Sequence, residues 1–245
     1  MTLRQLSGFA TSPAIIQPTP MQKFRTDELL GPLNPVERKN APAELFLEGH
    51  VELLKTGVRV AVVGTRTPSR EGEARAARLV TWLARHRATV VSGLAMGIDT
   101  IAHRTAMDQG TATIAVLGTP LDDVSPRQNA GLQAEIAQHH LLVSQFPPGQ
   151  AVSKTNFPRR NRTMALLCDA SIIVEASEGS GTLHQGYEAL RLGRPLYLLR
   201  SVAENPALQW PRDMLRYGAM VLSSPEELEE ALPLGFAGSS EDLAF

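Results

Sequence analysis

A single cysteine, few aromatic side chains and almost no net charge set the first bounds on this 245-residue chain. With Cys168 alone, neither an intramolecular disulfide nor a zinc site built on several thiolates is available. Cys168 lies in the apolar run MALLCDA with no base nearby in sequence, so it reads as a small buried hydrophobe rather than a nucleophile. No apolar stretch approaches the roughly 20 residues that span a bilayer, and the N-terminus lacks the basic, apolar and small-residue succession of a leader. Both absences point to the cytoplasm and to no membrane partner. The 24 basic and 25 acidic residues leave a net charge of -1, which gives no overall attraction to nucleic acid or an anionic membrane. Any anion site must therefore come from a local cluster. HExxH, GxSxG and paired-carboxylate signatures are missing too. His139 and His140 are adjacent and point apart on a helix, so no metal pair arises, and neither a metal nor a cofactor is expected.

What is present is an ordinary globular composition, 43% hydrophobic and 20% charged, long enough for one large domain with a small appendage. Residues 1–56 carry Pro13, Pro18, Pro20, Pro32, Pro35 and Pro42, spaced so that no long helix survives, and read as an irregular arm. From Val58 the pattern changes. VRVAVV reads as a strand ending at Gly64, and Ser69 opens a helix reaching His86. TVVSG, ATIAVLG, LLVSQF, SIIVEA and PLYLL read as further strands, separated by helices over GIDTIAHRTAMDQG, LQAEIAQH, the stretch after Phe157 and LHQGYEALRLG, with a strand-helix pair in GAMVLSSPEELEEAL. Continuous apolar strands alternating with amphipathic helices predict an α/β, Rossmann-like fold: a mostly parallel sheet with helices on both faces, over residues 57–232, before a tail at 233–245.

Ligands of such sheets bind outside the carboxyl ends of the strands. The residues there are GTRTPS, SGLAMGID, LGTPLD, QFPPG and EASEGSGT, rich in the glycine and hydroxyl residues that let a backbone approach phosphate oxygens. Neither GxGxxG nor a P-loop is among them. Arg66, beside a helix start, suits forked contact with a phosphate. KTNFPRRNR, at 154–162, holds four basic residues and no acidic one, and feeds a helix N-terminus where the macrodipole disfavours cations unless an anion arrives. Phe157 within it suits either stacking on a base or core packing. Asp99 and His103, four apart, suit acid–base work, but a hydrogen bond between them or a helix cap explains the pair better.

The succession VAVVGTRTPS, VSGLAMGIDTIAH, GTATIAVLGTPLD, FPPG, NFPRRNR and EASEGSGTL resembles the DNA-processing protein A family (DprA, also called Smf), in order and spacing, over roughly residues 42–232. The resemblance implies a Rossmann-like domain that binds single-stranded DNA, protects it and helps load the RecA recombinase in natural transformation, usually as a homodimer and without catalysis. It places the DNA face at Gly64, Thr65, Arg66, Ser92, Gly93, Asn156, Arg159, Arg160, Asn161 and Arg162, with Lys154 adjacent. Gly118, Gly179, Ser180, Gly181 and Thr182 are further candidates for phosphate pockets.

Two departures stand out. The family often carries a helical domain before the Rossmann-like part and a small winged-helix-like domain after it, where this sequence implies a core-only member. The fifth edge reads SGTLHQGYEAL where the family pattern is closer to SGSLITA, so His184, Gln185 and Tyr187 are atypical. GSGTLHQ is also similar to the PGGxGTxxE motif of LOG-type nucleoside monophosphate phosphoribohydrolases, with Gln185 where those enzymes hold a glutamate. An amide replaces neither a base nor the stabiliser of an oxocarbenium-like charge. A non-catalytic sensor of a small nucleotide would use the same pockets.

Overall fold

Alternation along VRVAVV decides how the sheet is covered. The structure, a computed structural model, describes residues 20–234. Its strands are β1 (Gln22–Arg25), β2 (Glu44–Gly49), β3 (Arg59–Gly64), β4 (Thr89–Ser92), β5 (Thr113–Leu117), β6 (Leu141–Ser144), β7 (Ala170–Glu175), β8 (Leu196–Leu199) and β9 (Met220–Leu222). Its helices are α1 (Thr26–Leu30), α2 (Pro35–Asn40), α3 (Arg70–Arg85), α4 (Ile98–Asp108), α5 (Ala130–His139), α6 (Asn156–Leu167), α7 (Thr182–Arg191), α8 (Arg200–Ala203), α9 (Trp210–Arg216) and α10 (Glu227–Ala231). Val60 and Val62 of β3 join a cluster with Leu79, Val80 and Leu83 of α3 and Ile98 and Ala102 of α4. Ala61 and Val63 face the other way, into a cluster with Met164, Ala165 and Leu167 of α6. Each fully buried Val or Leu contributes about 1.5–3 kcal/mol, so a strand apolar on both faces is stable only between two helical layers.

The nine strands follow the order β1-β2-β6-β5-β4-β3-β7-β8-β9. From β3 to β9 every pairing is parallel, as is β5 with β6, as the alternation of strands and helices predicts. The chain starts this parallel sheet at its centre, lays β4, β5 and β6 outward on one side, then returns through α6 to add β7 on the other side of β3. The loops after β3 and β7 therefore leave in opposite directions and open a crevice at this switch point.

The expected irregular arm is corrected from Gln22 onward. β2 pairs antiparallel with β6, Phe46 opposite Ser144 and Gly49 opposite Leu141, and β1 pairs antiparallel with β2. Leu45 and Leu47 are fully buried in the core beside α6, so residue 57 marks no change of fold. The prolines do forbid long helices, but a strand needs only extended backbone, and Pro35 sits at the start of α2, where its missing N–H costs nothing. Asn34 caps that helix with a capping box through Glu37, whose carboxylate also accepts from Arg194 at 2.6 Å and ties the segment to the turn before β8. Residues 1–19 of the arm and most of the 233–245 tail lie outside the described residues. Elsewhere, the helix expected to begin at Ser69 does so: its hydroxyl accepts from Gly72 N–H at 3.0 Å. Trp210, Pro211 and Met214 anchor α9, a short helix whose three buried residues make too little periodicity to stand out in sequence.

Candidate nucleic-acid interface

Gly64 at the end of β3 and Ser180–Thr182 at the start of α7 form facing walls of the switch-point crevice. Between them lies a cavity of about 360 Å³, bounded also by Thr65, Arg66, Ala95, Asp99, Phe157, Arg160, Asn161, Met164 and Gln185. The walls are stitched together: Thr182 Oγ1 donates to the Gly64 carbonyl at 2.9 Å, and Thr65 N–H donates to the Glu175 carbonyl at 2.7 Å. Ser180 Oγ accepts from Thr182 N–H at 3.2 Å. Two guanidinium groups and one carboxylate border the cavity, an arrangement that favours an anion.

The structure sorts the expected residues into those that present groups to the cavity or to solvent and those that hold the frame. Gly64, Thr65, Arg66, Arg160, Asn161, Ser180, Gly181 and Thr182 border the cavity. Lys154 and Arg159 are exposed at the start of α6, and Arg66 is exposed at the rim. None of these three has a carboxylate within ion-pair distance among the described residues. Arg159 lies over the Phe146 ring, 5.3 Å from its centroid, which orients it without neutralising it.

Other residues are framework. Ser92 is fully buried and its hydroxyl donates to the Val62 carbonyl at 2.7 Å, so it is not a surface contact. Gly93 is buried beneath Arg160, whose guanidinium would lie 2.0 Å from a Cβ there. Asn156 is buried in the first turn of α6. Arg162 is turned aside: its Nε and Nη2 donate to Glu188 at 2.9 and 3.1 Å, a forked pair that occupies the group expected for phosphate. Gly118 is no phosphate pocket, since its missing side chain makes room for Phe157, whose ring carbon would be 2.6 Å from a Cβ. Phe157 is half-buried, packed there while bordering the cavity. Gly179 is exposed in a left-handed turn with φ 68° and does not border the cavity.

The Asp99–His103 pair also resolves differently from a hydrogen bond. Asp99 accepts from the N–H groups of Gly93 and Ala95 at 3.2 and 3.3 Å, while His103 Nδ1 meets Thr113 Oγ1 at 2.7 Å. Thr113 Oγ1 donates onward to the Val90 carbonyl, so the imidazole carries its proton on Nδ1. Its Nε2 is buried without a partner among the described residues. Burial above all, and then the nearby His140, Arg160 and Arg104, lower the His103 pKa to about 3. Burial pushes Asp99 above the usual carboxylate range, with the Arg160 charge and the two N–H donors opposing it. Burial likewise lowers Arg160, which Asp99 counteracts. Burial raises the Cys168 thiol, in keeping with an inert core residue.

Asp99, Ala95, Met164 and Gln185 border the cavity without having been singled out as binding residues by sequence. Their signal was faint because each belongs to a helix or turn whose face only the crossover brings to the switch point. Gln185 is fully enclosed and its Nε2 donates to Ser171 Oγ at 3.2 Å, a core role at the position where a hydrolase would need a carboxylate. Among the described residues, no group of three or more His, Cys, Asp or Glu side chains could hold a metal ion, and no helix is long and apolar enough to cross a membrane.

A doubly wound, mostly parallel sheet with a cavity at its switch point defines the Rossmann-like class of α/β proteins. Within that class, residues 30–233 match the family model of the DNA recombination-mediator protein A, and the chain belongs to that family. It is 36% identical over 210 residues to the DNA processing protein DprA of Streptococcus pneumoniae, covering 84% of this chain and 74% of that one. It is 34% identical over 192 residues to DprA of Bacillus subtilis, covering 78% of this chain and 65% of that one. Protein Smf of Escherichia coli is 38% identical over 195 residues, which make up 79% of this chain and 52% of that one. The chain thus spans between about half and three quarters of these relatives' lengths. The Streptococcus pneumoniae DprA structure superposes with a TM-score of 0.76 at 33% identity, covering 89% of this chain and 75% of that one. The Helicobacter pylori protein, solved for its single-stranded DNA binding mode, superposes at 0.73 with 26% identity, over 87% of this chain and 95% of that one. A molybdenum cofactor binding protein of Rippkaea orientalis, 18% identical at a TM-score of 0.52 over 72% of this chain and 95% of that one, shares the fold alone.

Proposed function

We propose that this protein binds single-stranded DNA along the carboxyl edge of its sheet, without marked sequence preference and without catalysis. The observation that carries the reading is a set of exposed cations without carboxylate partners among the described residues: Arg66 at the rim of the cavity, whose border also holds Arg160, and Lys154 and Arg159 at the start of α6. A phosphate at the mouth would meet the Arg66 guanidinium and the hydroxyl of Ser180, while Lys154 and Arg159 follow the backbone on either side. Phe157 already has one side of its ring, Cδ1 and Cε1, against Gly118, which leaves limited room for stacking and favours backbone contact over base readout. The related Helicobacter pylori structure, named for its single-stranded DNA binding mode, supports the choice of ligand.

The test is a competition. A labelled 30-nucleotide single strand bound by the protein should be displaced by unlabelled single strand at concentrations at least tenfold below those needed with duplex of the same sequence. Equal displacement by duplex, or release of free base from AMP, would overturn the assignment. The further steps, protection of incoming DNA, loading of RecA and action as a cytoplasmic homodimer, extend the same proposal by family membership. Strand exchange with the cognate recombinase tests the loading step. Light scattering tests the dimer, which a mass near 26.5 kDa at micromolar concentration would contradict.

A further inference from the structure

We infer that Arg160, although it belongs to the basic run, is a positioning residue: buried under the cavity, it fixes the shape of residues 93–97, and that loop in turn sets the backbone that carries Arg66. The inference rests on the single-stranded DNA reading for its functional consequence, but its geometry stands apart from any ligand.

Arg160 is 7% exposed. Its Nη1 donates to the carbonyls of Gly93 and Val116, at the ends of β4 and β5, and its Nε donates to Asn161 Oδ1 at 3.0 Å. The loop after β4 is gripped from two other directions. Asp99 receives the N–H groups of Gly93 and Ala95. Asn129 Nδ2 donates to the Leu94 carbonyl and to Thr100 Oγ1, each at 2.9 Å. These ties hold Leu94, a non-glycine residue, at φ 60°, a left-handed conformation that persists only where the surroundings over-determine it.

The loop then meets the first edge. Gly97, at φ 77°, lies so close that a Cβ would stand 2.4 Å from the Thr65 carbonyl oxygen and 2.6 Å from the Arg66 carbonyl carbon. Ile98 N–H donates to the Thr65 carbonyl at 3.1 Å. The chain of contacts from Arg160 through residues 93–98 to Thr65 and Arg66 is continuous. It also gives a physical reason why NFPRRNR and SGLAMGID occur together: Gly93 must lack a side chain for Arg160 to lie across it, and Gly97 must lack one for Arg66 to be seated. Burial opposes the charge on Arg160, and Asp99 favours it, so the two are best changed together.

The experiment uses the full chain carrying Asp99→Asn with Arg160→Met, which removes both buried charges and keeps the volumes near native. Single-strand affinity should fall about tenfold and the slope of log K against log salt by about 0.7, the share of the Arg66 contact, and neither should fall further when the double variant is combined with Arg66→Ala. Amide hydrogen exchange should quicken at residues 65–67 and 93–98 and stay unchanged in the central strands and α3. Arg160→Lys, which can still reach both carbonyls, should recover most of the affinity. Asn129→Ala, which loosens the same loop from the other side, should reproduce the loss and its dependence on Arg66, whether or not the Arg160 variants fold. A further fall in affinity and slope in the Arg66→Ala background would make Arg160 a direct phosphate ligand and overturn the inference. Unchanged affinity in the double variant or in Asn129→Ala, or exchange quickened evenly across the sheet, would overturn it too. If the parent chain binds no single strand, the DNA reading fails while the exchange pattern still decides the positioning role.

Discussion

Replacing Arg66 and Arg159 together with alanine is expected to lower single-strand affinity about a hundredfold and to flatten its salt dependence. Both side chains are exposed, and neither has a carboxylate partner among the described residues, so the full charge of each is available to a phosphate. A charge-assisted contact of this kind contributes about 1.4 kcal/mol, a factor of ten, and the two sites lie on different elements, the loop after β3 and the first turn of α6, and should add. Each lost contact to a single strand lowers the slope of log K against log salt by about 0.7, so the pair should lower it by about 1.4. Stability should change by only about 1 kcal/mol, chiefly from losing Arg159 over the Phe146 ring. Arg66→Lys provides the contrast: it keeps the charge, and hence the slope, and loses the forked geometry, so affinity should fall by less. Fluorescence anisotropy at four or more salt concentrations measures all three.

Acidification from pH 8 to pH 5 is expected to remove about 2 kcal/mol of folding stability through His103 alone. The imidazole is fully enclosed, donates Nδ1–H to Thr113 and has no partner for Nε2 among the described residues, so a second proton would bury an unpaired charge. Its pKa is lowered to about 3 in the fold from an ordinary 6.5. The sign follows from proton counting. Between pH 6.5 and about 3 the unfolded chain binds the proton and the folded chain does not. Acid therefore draws the equilibrium toward unfolding, and the contribution is intact above pH 6.5 and declines steadily below it. Urea denaturation of the parent and of His103→Gln at both pH values isolates the effect. The variant should lose about 2 kcal/mol less than the parent on acidification, and equal losses would show that His103 takes up its proton within the fold.

The parallel sheet was legible because its strands are apolar on both faces and its helices are not. VRVAVV, TVVS and SIIVE need two helical layers, and nothing else in soluble proteins buries such runs so completely. The N-terminal strands were not legible because ELFLEG is short, lies among prolines and finds its partner β6 about a hundred residues later, a pairing that local pattern does not carry. The site divides along the same line. Edge residues such as Gly64, Thr65 and Arg66 could be placed from sequence, since a strand end fixes its own loop. The orientations of Arg160 and Arg162 could not, because one helix turn decides which arginine meets Gly93, which meets Glu188 and which faces solvent. Four cations in nine residues therefore overstated the free positive charge: two of them, Lys154 and Arg159, remain open to an anion outside the cavity.

The salt dependence of wild-type binding to a labelled single strand bears most directly on the proposed activity. With Arg66, Lys154 and Arg159 as phosphate contacts, log K should fall linearly with log salt at a slope near −2, about 0.7 for each contact. Binding that is absent at low salt, or that is indifferent to salt, would contradict a cationic single-strand path at this edge of the sheet.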